Sequence, residues 1–451
     1  MPVNKAPLAE RFAEAMGQLL GPEFPSEIGL AVSGGGDSMA MLYLAHNWTH
    51  TYGVRLWVVT IDHGLRPESA HEADMVAREC TALGWPHATV RWHWDGAGNV
   101  QASARDARLS LIDRWRGDLR HVLFAHTQDD QAETVLMRLM RGSGVDGLSG
   151  MSAARYVAPY AVDVPVLSAD QMTGDAPSRL NVRSGYQVLR PCLDMERREL
   201  RHYLTVLKGR WVDDPTNDNR DYDRVRVRHL LNLFRDEGLS SEDLSNTARR
   251  MARARAGLTA RLVDTVRALS SDAAAGQVRI ERDGFAKLDN ETQMRLLTAG
   301  LRYVTASEYR PRAASTEVLL DQILSGAGGT LHGAEVLVEK THIRISREPA
   351  AIADHVQPLN TLWDDQWLLS DPGGCFPEDA RVKALGEEGW RQIADRSRLT
   401  IPFRAALAMP SVWSGSRLLA CPQLRFGPEM ATQRFVLGQP DRGFEAFCLS
   451  H

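Results

Sequence analysis

The chain has no Cys-x-x-Cys pair, no apolar run approaching the ~20 residues of a membrane span and no excess of positive charge. Each absence excludes something. Its five cysteines (Cys80, Cys192, Cys375, Cys421 and Cys448) are scattered without a neighbouring histidine pattern. That argues against a disulfide framework, a zinc ribbon or a cluster-bearing site, and leaves them as small buried hydrophobes. The N-terminal stretch carries Leu8, Phe12, Met16 and Leu19 at helical spacing with charges between. It reads as an amphipathic helix rather than a signal peptide, so a cytoplasmic location and no membrane partner are expected. A formal net charge of −4 excludes a generally basic nucleic-acid coat. If the chain binds RNA, its basic residues must be gathered into patches. Repeats and low-complexity tracts are missing too.

What is present is length and balance. At 451 residues the chain exceeds one ordinary core, and two or three domains are expected. Hydrophobic residues at 43% and charged residues at 24% are the balance of a soluble globular protein. Residues 28–32, 56–61, 87–92 and 121–125 are short strand candidates, each followed by a helical pattern. The helix over 72–83 closes at Gly84, and Asn99 is placed to cap a helix bearing Leu111 and Trp115. The class is α/β: a parallel-sheet nucleotide-binding domain with helices on both faces, followed by a helical domain and a small α+β C-terminal domain. Ligands of such sheets gather at the carboxyl ends of the strands. The Ala-, Asp-, Ser- and Pro-rich stretch near 152–189 reads as an insertion, residues 241–301 as helical, and 330–339 as one alternating strand.

Ser33-Gly34-Gly35-Gly36-Asp37-Ser38 falls between a strand and a helix, where backbone N–H groups and the helix N-terminus can cradle a phosphate. It is neither a Walker loop, lacking Gly-Lys-Ser/Thr, nor Gly-x-Gly-x-x-Gly. As a bare glycine turn it would need only Ser38 as a helix cap; Asp37 beside a phosphate makes sense if a metal ion bridges the two. After the fourth strand, residues 126–134 open a helix. Spacing at 100° puts Ala132, Val135, Leu136, Leu139 and Met140 on an apolar face and Asp130, Glu133, Thr134 and Arg141 opposite. Thr127 and Asp130 fit a capping box, and Glu133 is equally a solvated face residue or a functional one. Beyond it, Arg141-Gly142-Ser143-Gly144 is a second glycine-rich loop.

The first loop resembles the Ser-Gly-Gly-x-Asp-Ser pattern of the N-type ATP pyrophosphatases. Residues 125–151, AHTQDDQAETVLMRLMRGSGVDGLSGM, resemble the corresponding block of the tRNA(Ile)-lysidine synthetases. So do Asp62-His63-Gly64-Leu65-Arg66, Asn99-x-Gln101-x-x-Ala104-Arg105-x-x-Arg108, Arg190-Pro191-x-Leu193, Arg197-x-Glu199-Leu200 and Trp211-x-x-Asp214-x-Thr216-Asn217. The blocks run in the family's order over about half the chain, and the match fades after Leu231. Two positions depart from the family: Thr127 stands where it has a second histidine, and Val225 where Arg-Asn-x-x-Arg has asparagine.

The resemblance implies a ligase that adenylylates C2 of the wobble cytidine of tRNA(Ile) with a CAU anticodon and then joins free L-lysine to it, using ATP and Mg2+. It implies nucleotide binding by Ser33, Gly34, Gly35, Gly36, Asp37 and Ser38, with His63, Arg141 and Gly142. Asp37 and Asp130 become metal candidates, and Asp130 and Glu133 candidates for holding lysine or metal. Arg108, Arg224 and Arg228 would stabilise the intermediate or grip the anticodon stem. Domains are expected at 1–235 (catalytic), 236–325 (helical, tRNA-contacting) and 326–451 (α+β, tRNA-binding). Arg249, Arg250, Arg253, Arg255 and Arg261 lie on the helical stretch, where RNA contact competes with an ordinary solvated face. Trp363, Trp367, Trp390 and Trp413 read as core anchors. The rival readings are a tRNA thiolase of the same superfamily, a metabolic synthetase, and a non-catalytic nucleotide-binding module.

Overall fold

Short β-branched runs that end in polar turns become parallel strands when a helix can cover each face. The computed structural model describes residues 6–64, 68–94, 100–158, 167–178, 185–213, 223–273, 276–394 and 401–450. It divides into two units, Met1–Arg255 and Ala256–His451. The first begins in alternation: α1 (Leu8–Leu20), β1 (Glu27–Ala31), α2 (Gly36–Tyr52), β2 (Arg55–Asp62), α3 (Ser69–Leu83), β3 (His87–Arg91), α4 (Val100–Trp115), β4 (His121–Phe124) and α5 (Gln128–Met140). Gly84 ends α3 in the left-handed conformation at φ 80°. The expected Asn99 cap lies outside the described residues. Then come α6 (Val145–Leu148), β5 (Ala154–Val157), β6 (Met172–Gly174), β7 (Tyr186–Leu189), α7 (Arg197–Leu207), α8 (Asp223–Asp236) and α9 (Ser241–Leu269).

The sheet has seven strands in the order β5-β7-β4-β1-β2-β3-β6. β1 runs parallel to β2 and β4, β2 to β3, and β4 to β7. β5 and β6 close the two edges antiparallel. The stretch near 152–189, expected as an insertion, therefore supplies three strands of the sheet itself. Its sparse hydrophobicity suits β5 and β6, edge strands paired on one side only, whereas the apolar β7 is paired on both sides, with β4 and β5.

Side-chain alternation shows that both faces are covered. Leu56 and Val58 of β2 join Ile28, Leu30 and Leu123 in a core with α1, α2, α3 and α7. Val59 points the other way, to a core with Val122, Val188 and the α4 residues Ile112 and Trp115. Each such fully buried side chain contributes roughly 1.5–3 kcal/mol.

In the second unit a hairpin interrupts the run expected to be helical through 301: β8 (Ser270–Ala273) and β9 (Gln277–Glu281) follow α9. α10 (Arg282–Ala286), α11 (Asn290–Thr305), α12 (Ala313–Leu324), β10 (Gly329–Leu331), β11 (Ala334–Val338) and β12 (His342–Arg347) come next. The single strand expected over 330–339 is two, β10 and β11, folded back at His332 and Gly333 with φ 57° and 74°. Positive φ at both turn residues is the hairpin geometry that a two-residue loop needs. A five-stranded sheet, order β10-β11-β12-β9-β8, shares one core with α11 and α12 through Val278, Ile280, Leu296, Leu319 and Ile345. Of the helices assigned from sequence to 236–325, the part beyond Arg255 thus shares one core with strands assigned to 326–451, whereas Leu244 and Ala248 pack with α5 in the first unit. Two four-stranded sheets complete the unit, with Trp363 and Trp413 buried. No helix among the described residues is long and apolar enough to cross a membrane.

Candidate active site

β1 runs directly into the glycine loop at the carboxyl edge of the sheet. Ser38, in the first turn of α2, closes that loop: its Oγ accepts from Ser33 N at 3.1 Å and donates to Gly35 O at 2.9 Å. Ser33 Oγ lies 3.2 Å from Ser38 Oγ. Gly34 sits at φ 85°, a conformation that a side chain would strain, and its carbonyl is tied back by Val212 N at 3.0 Å. Gly35 and Gly36 then start α2 with no side-chain cap. The first-turn N–H groups of a helix have no intrahelical partner, so with the dipole they form a seat for an anion.

Asp37, Asp130 and Glu133 are brought together by a residue to which sequence reading gave no role. Arg197, the first residue of α7, donates from Nε to Asp37 Oδ2 at 3.0 Å and from Nη2 to Asp130 Oδ1 at 3.1 Å. Its Nη1 stands 3.6 Å from Glu133 Oε1. Two features aim it. α7 opens with a capping box between Glu196 and Glu199, and the Arg197 backbone N–H donates to Asp129 Oδ2 at 2.8 Å. Its only sequence signal was membership of the Arg197-x-Glu199-Leu200 block, because ion pairs across 67 and 160 residues leave no spacing pattern.

The capping box at α5 forms as read. Thr127 N donates to Asp130 Oδ2 at 2.8 Å, and Asp130 N donates to Thr127 Oγ1. The threonine that replaces the family's second histidine is fully buried and serves as the helix cap. The apolar face of α5 needs correction. Leu139 and Met140 are 51% and 63% exposed, whereas Glu133 is 1% exposed. The first turns of the helix are buried all round, with Ala132, Val135 and Leu136 against Val227 and Leu231 of α8, while its last turn runs out toward solvent. From α8, Arg228 Nε donates to Glu133 Oε1 at 2.6 Å. Residues 224–228 lie in α8, and the Arg224 side chain lies outside the described residues.

Burial and charge then set the acids apart. Burial raises Asp37 to about 6, against the opposing pull of Arg197. Burial also raises Glu133, assisted by Asp130 and opposed by Arg228. Burial works against ionised Asp130 as well, but Arg197, His126 and the Thr127 hydrogen bonds outweigh it, so its pKa is lowered. Asp37 Oδ1 and Glu133 Oε2 are buried and have no hydrogen-bond partner among the described residues.

His63, at the end of β2, packs edge-on to Trp92 at 5.7 Å. Burial, helped by Arg108, lowers its pKa to about 4, which keeps the ring neutral and sets Arg108 close to it. Arg141 and Gly142 are exposed at the far end of α5, ~16 Å along the axis from Asp130 at 1.5 Å per residue. The loop that follows is tied to the helix: Arg138 Nη1 donates to Gly147 O at 2.8 Å and Gly150 O at 2.9 Å, and Gln131 bonds both N and O of Met151. Among the described residues no group of three or more His, Cys, Asp or Glu is arranged to hold a metal. All five cysteines are free, and all but Cys375 are buried.

A glycine loop between a parallel strand and a helix, with an acidic cluster at the same sheet edge, defines an ATP-using enzyme of the PP-loop class, and residues 8–234 match the PP-loop domain family. The tRNA(Ile)-lysidine synthase of Ruegeria pomeroyi is 36% identical over 401 residues, 88% of each chain. That of Wolbachia pipientis wMel is 32% identical over 89% of this chain and 90% of its own. The chain belongs to the tRNA(Ile)-lysidine synthase family. Among solved structures, the U34-tRNA thiolase NcsA of Methanococcus maripaludis overlaps 54% of this chain and 78% of its own at 14% identity and a TM-score of 0.40.

Proposed function

We propose that this enzyme joins free L-lysine to C2 of the wobble cytidine in a tRNA(Ile) bearing a CAU anticodon, consuming ATP and releasing AMP and pyrophosphate. The observation that carries the reading is the meeting of Asp37, from the phosphate loop, with Asp130 and Glu133, from α5, around one guanidinium. Activating a carbonyl oxygen calls for a phosphate cradle. Delivering a cationic amine calls for carboxylates. Both lie at one sheet edge.

The cytidine O2 attacks the α-phosphorus and pyrophosphate departs. The ε-amine of lysine then attacks C2, and AMP leaves. The loop amides of residues 33–38 hold the phosphates in line. The lysine ammonium must shed a proton before it attacks, and Glu133, whose burial raises its proton affinity, is the acceptor at hand. Arg108 beside neutral His63 is placed to meet negative charge on the nucleotide or the tRNA. Mg2+ fits at Asp37, whose buried Oδ1 is unpartnered, since this ion usually takes one or two carboxylates and fills its shell with phosphate and water. When bound it would neutralise charge on the departing pyrophosphate. Asp130 is less free, because Oδ2 serves the cap and Oδ1 takes Arg197. On α9, Arg249, Arg250 and Arg253 are exposed and suit the tRNA backbone, whereas Arg255 bonds Ser149 and Arg261 bonds Asp289. A cytoplasmic location suits these substrates.

A thiolase would need an accessible thiolate. Burial instead pushes the Cys80 thiol up to about 12 and raises Cys192 as well, and the one exposed cysteine, Cys375, lies in the second unit, whereas the acids and glycines of the site lie in the first. The deciding assay incubates the enzyme with tRNA(Ile) of CAU anticodon, labelled lysine and ATP. Equal amounts of tRNA-bound lysine and AMP are expected; AMP release without lysine attachment would overturn the reading.

A further inference from the structure

Three carboxylates in a largely buried cluster cannot all stay ionised without a cation among them. Arg228 neutralises Glu133 from α8 and Arg197 faces all three acids, and three observations separate Arg197 from an ordinary structural arginine. Its side chain keeps 22% of its surface exposed, which leaves a path outward. Its backbone is held independently, by the 2.8 Å bond to Asp129, so α7 stays anchored wherever the side chain goes. And it satisfies Glu133 poorly: it stands 3.6 Å from Oε1, which already takes Arg228 at 2.6 Å, while the buried Oε2 has no hydrogen-bond partner among the described residues.

We propose that Arg197 is a positioning and specificity-determining residue that holds the acidic cluster assembled and gives up Asp130 and Glu133 to the ammonium of the incoming amine substrate. The inference rests on the amine-ligation reading above. An ammonium carries three donors, and Asp130 Oδ1 with Glu133 Oε2 offers it two acceptors. The Arg197 Nε bond to Asp37 can persist through the exchange, so the phosphate-loop side of the cluster keeps its shape. A neutral side chain cannot replace the guanidinium, because Asp130 Oδ1 would be left without its cation while Glu133 kept only Arg228. The exchange therefore filters for an amino acid with a cationic end.

The test uses the full-length enzyme and its Arg197→Gln and Arg197→Lys variants. Lysine and ATP kinetics, lysine binding by calorimetry and thermal unfolding are measured above the pH range in which Asp37 titrates. Relief from competition should lower the lysine KM and Kd of Arg197→Gln by roughly threefold to tenfold, the range of a partly screened ion pair or a little more. The ATP KM should stay unchanged and kcat should fall as the acids lose their common anchor. Arg197→Lys, which keeps the charge but not the fork, should lie between. If the glutamine variant does not fold, the lysine variant carries the test. A folded variant with unchanged or weaker lysine binding overturns the proposal, as does one whose only change is a lower Mg2+ requirement. If the unaltered enzyme attaches no lysine to tRNA, the amine-ligation reading fails with it; if it does while the variants' lysine affinity fails to rise, only the role of Arg197 fails.

Discussion

Asp37 carries the balance of the site in a single side chain. Burial pushes its pKa from 3.8 to about 6 despite Arg197, so the folded protein holds this proton to a higher pH than the unfolded chain does. A raised carboxyl pKa contributes stability below the unfolded value, and that contribution is lost as pH rises through about 6. At neutral pH, then, ionised Asp37 is a net cost to folding that the site bears for its function. Replacing it by asparagine should flatten this part of the stability profile between about pH 4 and 6 and abolish the acid-side weakening of Mg2+-dependent ATP binding. Thermal unfolding and nucleotide titration across that range check both. An Asp37→Asn enzyme with the original pH dependence would remove Asp37 as the titrating group.

Among the elements, α5 shows how a helix can be legible and misleading at once. The capping box was readable because its partners are three residues apart, and the structure forms it through Thr127 and Asp130. Thr127→Ala should cost about 1 kcal/mol of stability and loosen Asp130, whereas Thr127→Ser should recover most of both; chemical denaturation measures the difference. Beyond the cap, periodicity located the helix but not its depth. It could not show that α8 would bury Glu133 or that Leu139 and Met140 would end in solvent. The same limit runs through the chain. β1 to β4 were legible because each is a local apolar run that ends in a turn, and the glycine loop because its chemistry is local too. The β4–β7 pairing joins Val122 to Val188 across the intervening chain, and no local pattern announces such a partner. The β10–β11 turn was hidden because β10 is only three residues long, too short to show a period of its own before His332 and Gly333 turn the chain. Arg197 lies in a block that resembles the family, yet its work is done through ion pairs to residues far away in sequence.

For the whole molecule, the division after Arg255 separates the chemistry from the remaining 196 residues, Ala256–His451, because every acid and glycine of the candidate site lies in the first unit. Each unit has a hydrophobic core of its own: Ile28, Leu30 and Val58 in one, Phe285, Leu296 and Ile345 in the other. Separate cores allow separate cooperative transitions. Phe285 is 1% exposed, and Phe285→Ala should destabilise its unit by about 3–5 kcal/mol through lost burial and the cavity left behind. That loss should appear in the unfolding of the second unit, while ATP binding and the first unit's transition keep their midpoints. Calorimetry with and without ATP distinguishes them, because a bound nucleotide should raise only the transition of the unit that holds it. If the substitution shifts both transitions equally, or weakens ATP binding, the two cores fold as one cooperative body and the second unit supports the catalytic site directly.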